Sequence, residues 1–82
     1  MKQLLKFSAS WCQPCKALAA NMKYVEFGDV QYEDVDIDEN MELAKKFGIR
    51  GVPTMVLVED DVEIKRISGV LMADKIEEFI HG

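Results

Sequence analysis

Apolar positions along the chain alternate between a spacing of two and a spacing of three to four, and each change of period marks an element. Gln3-Leu4-Leu5-Lys6-Phe7-Ser8 predicts a first strand. Ser10-Trp11-Cys12 then leads into a helix over roughly 12–25, with Cys15, Leu18, Ala19, Met22 and Val25 at helical spacing. A second strand is expected at about 30–37, with Val30, Tyr32, Val35 and Ile37 as its apolar members. Asp38 suits the N-cap of a short helix ending at Phe47, whose face carries Met41, Ala44 and Phe47, and Gly48 fits the left-handed position after it. The run Thr54-Met55-Val56-Leu57-Val58 has no polar alternation, as in a central strand covered on both faces. Asp60-Asp61 turns the chain into a fourth strand at 62–68, and a last helix at about 72–81 turns Met72, Ile76, Phe79 and Ile80 inward.

The order is therefore β-α-β-α-β-β-α. The first two strands must be parallel through a right-handed crossover, and the last two form a hairpin. The fold class is α/β, a four-stranded mixed sheet with helices on both faces, in a single domain over residues 1–82. A chain of this length supports only a marginal core. With 49% hydrophobic and 30% charged residues the composition is that of a globular protein, not a disordered one. Its net charge of −5 argues against nucleic acid or an anionic membrane as partner. Charges interrupt every apolar run, so no segment crosses a bilayer. The start, Met1-Lys2-Gln3-Leu4-Leu5-Lys6, lacks the apolar stretch of a signal peptide, and a cytoplasmic location is expected.

The two cysteines, Cys12 and Cys15, narrow the function further. A disulfide between them closes a loop too short to staple a fold well, contributing about 2 kcal/mol by loop-closure entropy. Redox chemistry, half of a metal site and coincidence remain. A metal site needs two more ligands, and His81, the other soft candidate, is expected as a frayed surface residue, so no metal is expected. Disulfide exchange needs an accessible, acidic thiolate that a second thiol can release. Cys12 stands at the N-terminal end of a helix, where free amides and the helix dipole favour a negative sulfur. Cys15, one turn further in, is the resolving thiol and is expected to be buried while Cys12 is exposed. Pro14 loses no hydrogen bond in the first turn and stiffens the loop. Trp11 offers an apolar flank for an incoming peptide.

Trp11-Cys12-Gln13-Pro14-Cys15-Lys16 after a strand resembles the active site of the thioredoxin family, with Gln13 where those proteins usually have Gly. Ile49-Arg50-Gly51-Val52-Pro53-Thr54 resembles the family's cis-proline loop, and Ser68-Gly69 its late glycine. The resemblance spans essentially the whole chain, which begins at the strand before the active site, without the strand and helix that precede it in ordinary thioredoxins. It implies a thioredoxin-like fold and a cis bond between Val52 and Pro53. It also implies a substrate groove formed by Trp11, Gln13, Pro14, Val52, Pro53, Gly69 and Val70, with the Val52 backbone pairing with the substrate chain.

Two departures from the family stand out. Thioredoxins usually bury an Asp beneath the second cysteine, paired with a Lys on the neighbouring strand. Here Lys6 occupies the Asp position and Asp34 the Lys position, so the pair is swapped. Asp34 becomes the candidate proton acceptor near Cys15, and Lys6 a cation below the thiols. The bland alternative is a snorkelling lysine and one more acid in an acidic strand. Ala20 replaces the family's kinking proline, so the helix is expected to run straighter.

The function implied is reduction of protein disulfides by Cys12 and Cys15, with roles in electron transport and cell redox homeostasis. No cofactor beyond the Cys12–Cys15 disulfide is expected. The partners would be disulfide-containing proteins and a thioredoxin reductase-type electron donor, the chain acting as a monomer. Two other readings stay open: a glutaredoxin-like, glutathione-dependent reductase, and a non-catalytic thioredoxin-like module bound to a partner. Ser68-Gly69 is followed by Val70-Leu71, not by the paired glycines and Asp of a glutathione site.

Overall fold

A computed structural model describes all 82 residues. The elements follow the expected order: β1 (Lys2–Ser8), α1 (Gln13–Met22), β2 (Gln31–Asp36), α2 (Met41–Lys46), β3 (Thr54–Glu59), β4 (Val62–Ser68) and α3 (Ala73–His81). They form one four-stranded sheet in the order β2-β1-β3-β4. β1 pairs with β2 in parallel and with β3 antiparallel, and β3–β4 is an antiparallel hairpin. Asp60 and Asp61 both take positive φ, 52° and 70°, the geometry that a two-residue hairpin turn requires. A register shift between Leu57 and Val58 leaves Ile64 as the extra residue of a bulge in β4.

The two inner strands are apolar on both sides because both faces are covered. Leu4, Met55 and Leu57 meet Leu18 and Met22 of α1 and Ile76 and Ile80 of α3 on one face. Leu5, Phe7, Val35, Val56 and Val58 form the core of the other, against Leu43, Ala44 and Phe47 from α2 and its end. Phe7 and Phe47 lie with ring centroids 5.9 Å apart. No helix is long and apolar enough to cross a membrane.

Several local expectations are corrected. α1 runs unbroken through Ala20 but ends at Met22, where Tyr24 and Val25 bond back three residues to Asn21 and Met22 and tighten the chain into a turn. Asp38 does not cap α2. Asp36 knits that turn instead, its carboxylate accepting from the Asp38 N–H and its carbonyl from those of Glu39 and Asn40, so the helix starts later, at Met41. Its end is as expected: Gly48 has φ 62°, and the N–H groups of Gly48 and Ile49 bond to the carbonyls of Lys45 and Ala44, a Schellman closure. Met41 is exposed rather than packed. Met72 is exposed too, because it is the extended N-cap of α3 and lies off the helix's inner face. His81 is no frayed end, since its Nε2 lies 2.8 Å from the Glu26 carbonyl oxygen.

Candidate active site

The chain leaves β1 at Ser8 and turns at once into α1, a turn closed by the Cys12 N–H on the Ala9 carbonyl at 3.1 Å. Cys12 is the N-cap of α1, in extended conformation, and its Sγ accepts the Cys15 N–H at 3.2 Å. A sulfur thus occupies the place of a capping oxygen, held by a helix N–H and facing the positive end of the dipole. Pro14 lies in the first turn, where it removes no hydrogen bond. Cys12 and Cys15 are joined as a disulfide with Cα atoms 5.3 Å apart.

The expected contrast between an exposed Cys12 and a buried Cys15 is absent. The residues are 5% and 3% exposed, because Ala9 joins both in a small cluster that Ile37 and Val52 cover. What distinguishes the two sulfurs is their setting. Cys12 stands at the outer end of the helix, between exposed Trp11 and the exposed Gln13 and Pro14. Cys15 lines an open cavity of 140 Å³ shared with Lys6, Ser8, Lys16 and Asp34.

The peptide bond between Val52 and Pro53 is cis, as the resemblance implied. Val52 packs on the cysteine cluster, and neither its N–H nor its carbonyl has a backbone partner. The loop is tied to the end of β4: the Gly69 N–H donates to the Pro53 carbonyl at 3.1 Å, and the Thr54 hydroxyl, 3.3 Å from that of Ser68, donates to the Gly51 carbonyl at 2.8 Å. Gly69 has φ 96°, which a side chain would strain, and Val70 beyond it is exposed. Trp11, Val52, Pro53 and Gly69 are therefore placed by the same few loops as the dithiol.

Lys6 and Asp34 are register partners on β1 and β2, and their side chains meet with Nζ–Oδ2 at 3.5 Å. Lys6 is 1% exposed and does not snorkel, while the Asp34 side chain is 54% exposed. The other Asp34 oxygen accepts from the Ser8 hydroxyl at 2.9 Å.

Sequence reasoning missed Asp38 as a neighbour of the site. Its carboxylate accepts the Trp11 indole N–H at 3.0 Å and so orients an indole that is two-thirds exposed. The available signal was Asp38's position just past the end of β2, which runs parallel beside β1 and so finishes near the Trp11 turn. No three His, Cys, Asp or Glu side chains converge in a metal-binding arrangement.

The profile of the thioredoxin family matches residues 1–82. The chain belongs to the thioredoxin family. It is 41% identical to thioredoxin H2 of Arabidopsis thaliana over 68 residues, covering 80% of this chain and 51% of that protein. It is 35% identical to the thioredoxin of Mycoplasma genitalium over 75 residues, covering 89% and 74%. Among solved structures, Fasciola hepatica thioredoxin superposes with a TM-score of 0.88 at 33% identity, covering 98% of this chain and 78% of that one. Oxidised mitochondrial thioredoxin 3 of Saccharomyces cerevisiae gives 0.85 at 32%, covering 98% and 76%. The chain thus spans about half the length of the Arabidopsis thioredoxin and about three quarters of the Mycoplasma one.

Proposed function

We propose that the protein is a thiol-disulfide oxidoreductase that reduces disulfides in protein substrates through Cys12 and Cys15. The observation that carries this reading is the cysteine pair at the N-terminus of α1, with the Cys15 N–H on Cys12 Sγ. An amide donor and the helix dipole both favour a thiolate at Cys12 over the thiol. In the reduced protein that thiolate attacks a substrate sulfur. A Cys12–substrate bond forms, the substrate disulfide breaks, and the released sulfur takes up a proton. Cys15, one helical turn away, loses its proton and attacks Cys12 Sγ. The Cys12–Cys15 bond forms, the mixed disulfide breaks, and two electrons have passed from the dithiol to the substrate.

The substrate chain lies along the Val52–Pro53 edge, where the Val52 backbone groups are free to pair with it, between Trp11, Gln13 and Pro14 on one side and Gly69 and Val70 on the other. The redox group is the protein's own dithiol, so no separate cofactor is required. A thioredoxin reductase-type donor would restore it in a reducing compartment such as the cytoplasm, with the chain acting as a monomer in electron transport and redox homeostasis.

Insulin reduction tests the reading, in parallel with NADPH and thioredoxin reductase and with glutathione and glutathione reductase. Turnover in the first system, lost in Cys12→Ser, is the expected result. Turnover only with glutathione would make the protein a glutaredoxin-like enzyme. No insulin reduction even by the chemically reduced protein would leave a non-catalytic binding module.

A further inference from the structure

Lys6 is the only charged side chain in the core. It projects from β1 on the α1 side of the sheet, between Leu4 and Ser8, with buried Met55 opposite it on β3. Its one ionic partner, Asp34, stands at the more open end of the pair and divides its carboxylate between Lys6 and the Ser8 hydroxyl. Water screens an exposed carboxylate far more than a buried ammonium, so the two charges do not cancel in the interior.

That charge borders the same space as Cys15. Both residues line the 140 Å³ cavity behind the disulfide, and Cys15 is itself only 3% exposed. The charged groups lining this space are Lys6 from β1, Asp34 from β2 and Lys16 from α1, the last exposed; β3 contributes uncharged Met55 beside Lys6. When the disulfide opens, negative charge arising on Cys15 Sγ shares this solvent-reached cavity with a buried cation, which favours the charged form.

We infer that Lys6 is a positioning residue acting through Cys15: its buried ammonium favours the Cys15 thiolate over the thiol, and Asp34 sets how strongly. The inference rests on the disulfide-exchange reading above. It assigns the resolving step a source of acidity other than a buried carboxylate. The Cys15 thiol gives its proton to solvent before the attack, and the thiolate then displaces the substrate sulfur from Cys12, which leaves with the electron pair and is protonated outside. A cation that stabilises the thiolate stabilises the reduced protein, so Lys6 makes the dithiol a weaker reductant than the fold would otherwise give.

The test is the equilibrium of the protein with reduced and oxidised glutathione at fixed pH, for wild type, Lys6→Met and Asp34→Asn. Lys6→Met should shift the equilibrium about tenfold toward the oxidised protein, ~30 mV for a two-electron couple. Asp34→Asn should shift it toward the reduced protein, because the lysine is no longer opposed. A purely structural role would move both variants the same way or neither. In a Cys12→Ser background, where Cys15 titrates alone, Lys6→Met should move the pH profile of Cys15 alkylation upward and Asp34→Asn downward.

Both equilibria within twofold of wild type, or both displaced in one direction, would overturn the inference while leaving disulfide exchange intact. A wild-type dithiol that exchanges with neither glutathione nor insulin would overturn both. Should Lys6→Met not fold, Asp34→Asn, at a half-exposed position, decides alone: a shift toward the reduced protein supports the role and no shift removes it.

Discussion

The indole N–H of Trp11 donates to a carboxylate oxygen of Asp38 at 3.0 Å, joining the turn before Cys12 to the turn after β2. An exposed ring next to the dithiol is thereby held in one orientation without being buried. For an incoming peptide this means an apolar surface whose rotamer is already fixed, so less entropy is lost on docking.

Asp38→Ala should therefore weaken substrate docking while leaving the chemistry alone. The expected loss is about 1 kcal/mol, roughly a fivefold fall in kcat/KM for insulin. The rate of reduction by dithiothreitol, which needs no docking, should stay within about twofold of wild type. An equal fall in both rates would mean that Asp38 acts on the sulfurs and not on Trp11.

Cys15→Ser should trap a covalent mixed disulfide with a protein substrate, and Cys12→Ser should not. The reason is placement: Cys12 stands at the outer end of α1 beside exposed Trp11 and Pro14, whereas Cys15 lines the small cavity it shares with Lys6. Non-reducing electrophoresis and peptide mapping would read the trapped sulfur. An adduct mapped to Cys15 in the Cys12→Ser protein would reverse the assignment.

The parts of the fold legible in the sequence are those where period and punctuation agree. Leu5 and Phe7 against Leu4 set the two faces of β1, and Thr54–Val58 announced a strand covered on both sides. Gly48 was placed at its left-handed position because no other residue fits there so readily. The differences arise where a side chain's partners or an element's boundary depend on tertiary neighbours that no local pattern shows. Asp38 has the chemistry of an N-cap and is used by Trp11 instead. Met72 has helical spacing but stands one residue before the helix. The burial of Cys12 comes from Ile37 and Val52, residues distant in sequence that no local pattern brings to the motif. Lys6 was legible as a position but not as a state: counting found its partner, and only packing shows that the ammonium stays inside.

Truncations in β1 should separate the two cores from the surface. Leu4 and Phe7 are both fully buried, on opposite faces of the same strand. Leu4→Ala should destabilise by about 2–5 kcal/mol and Phe7→Ala by about 3–5 kcal/mol, a large share of the stability of so small a protein. Ile64→Ala, at the half-exposed bulge of β4, should change it by no more than about 0.5 kcal/mol. Urea unfolding of the oxidised protein checks all three. A loss at Ile64 as large as that at Leu4 would mean that β4 packs against something on its outer face.

The acid limb of stability should carry a contribution from Glu63. Arg66 grips both oxygens of its carboxylate, at 2.7 Å each, and also bonds the Phe47 carbonyl at the end of α2. The Arg66 hydrogen bonds hold the Glu63 carboxyl below its ordinary value of 4.5. A carboxylate with a depressed folded pKa stabilises the protein above its unfolded pKa, and that stability is lost as the pH falls through the lowered folded value. The pair therefore contributes fully at neutral pH, begins to fade near pH 4.5 and is gone below the folded pKa. Because the pair is partly exposed, its contribution is that of a surface bridge, under about 1 kcal/mol and smaller in high salt. Glu63→Gln should lower stability at pH 7 by that amount, and the difference should shrink as the pH falls below 4.5 and wild-type Glu63 takes up its proton. A difference that persists undiminished at pH 2 would assign the effect to packing along β4 rather than to the charge.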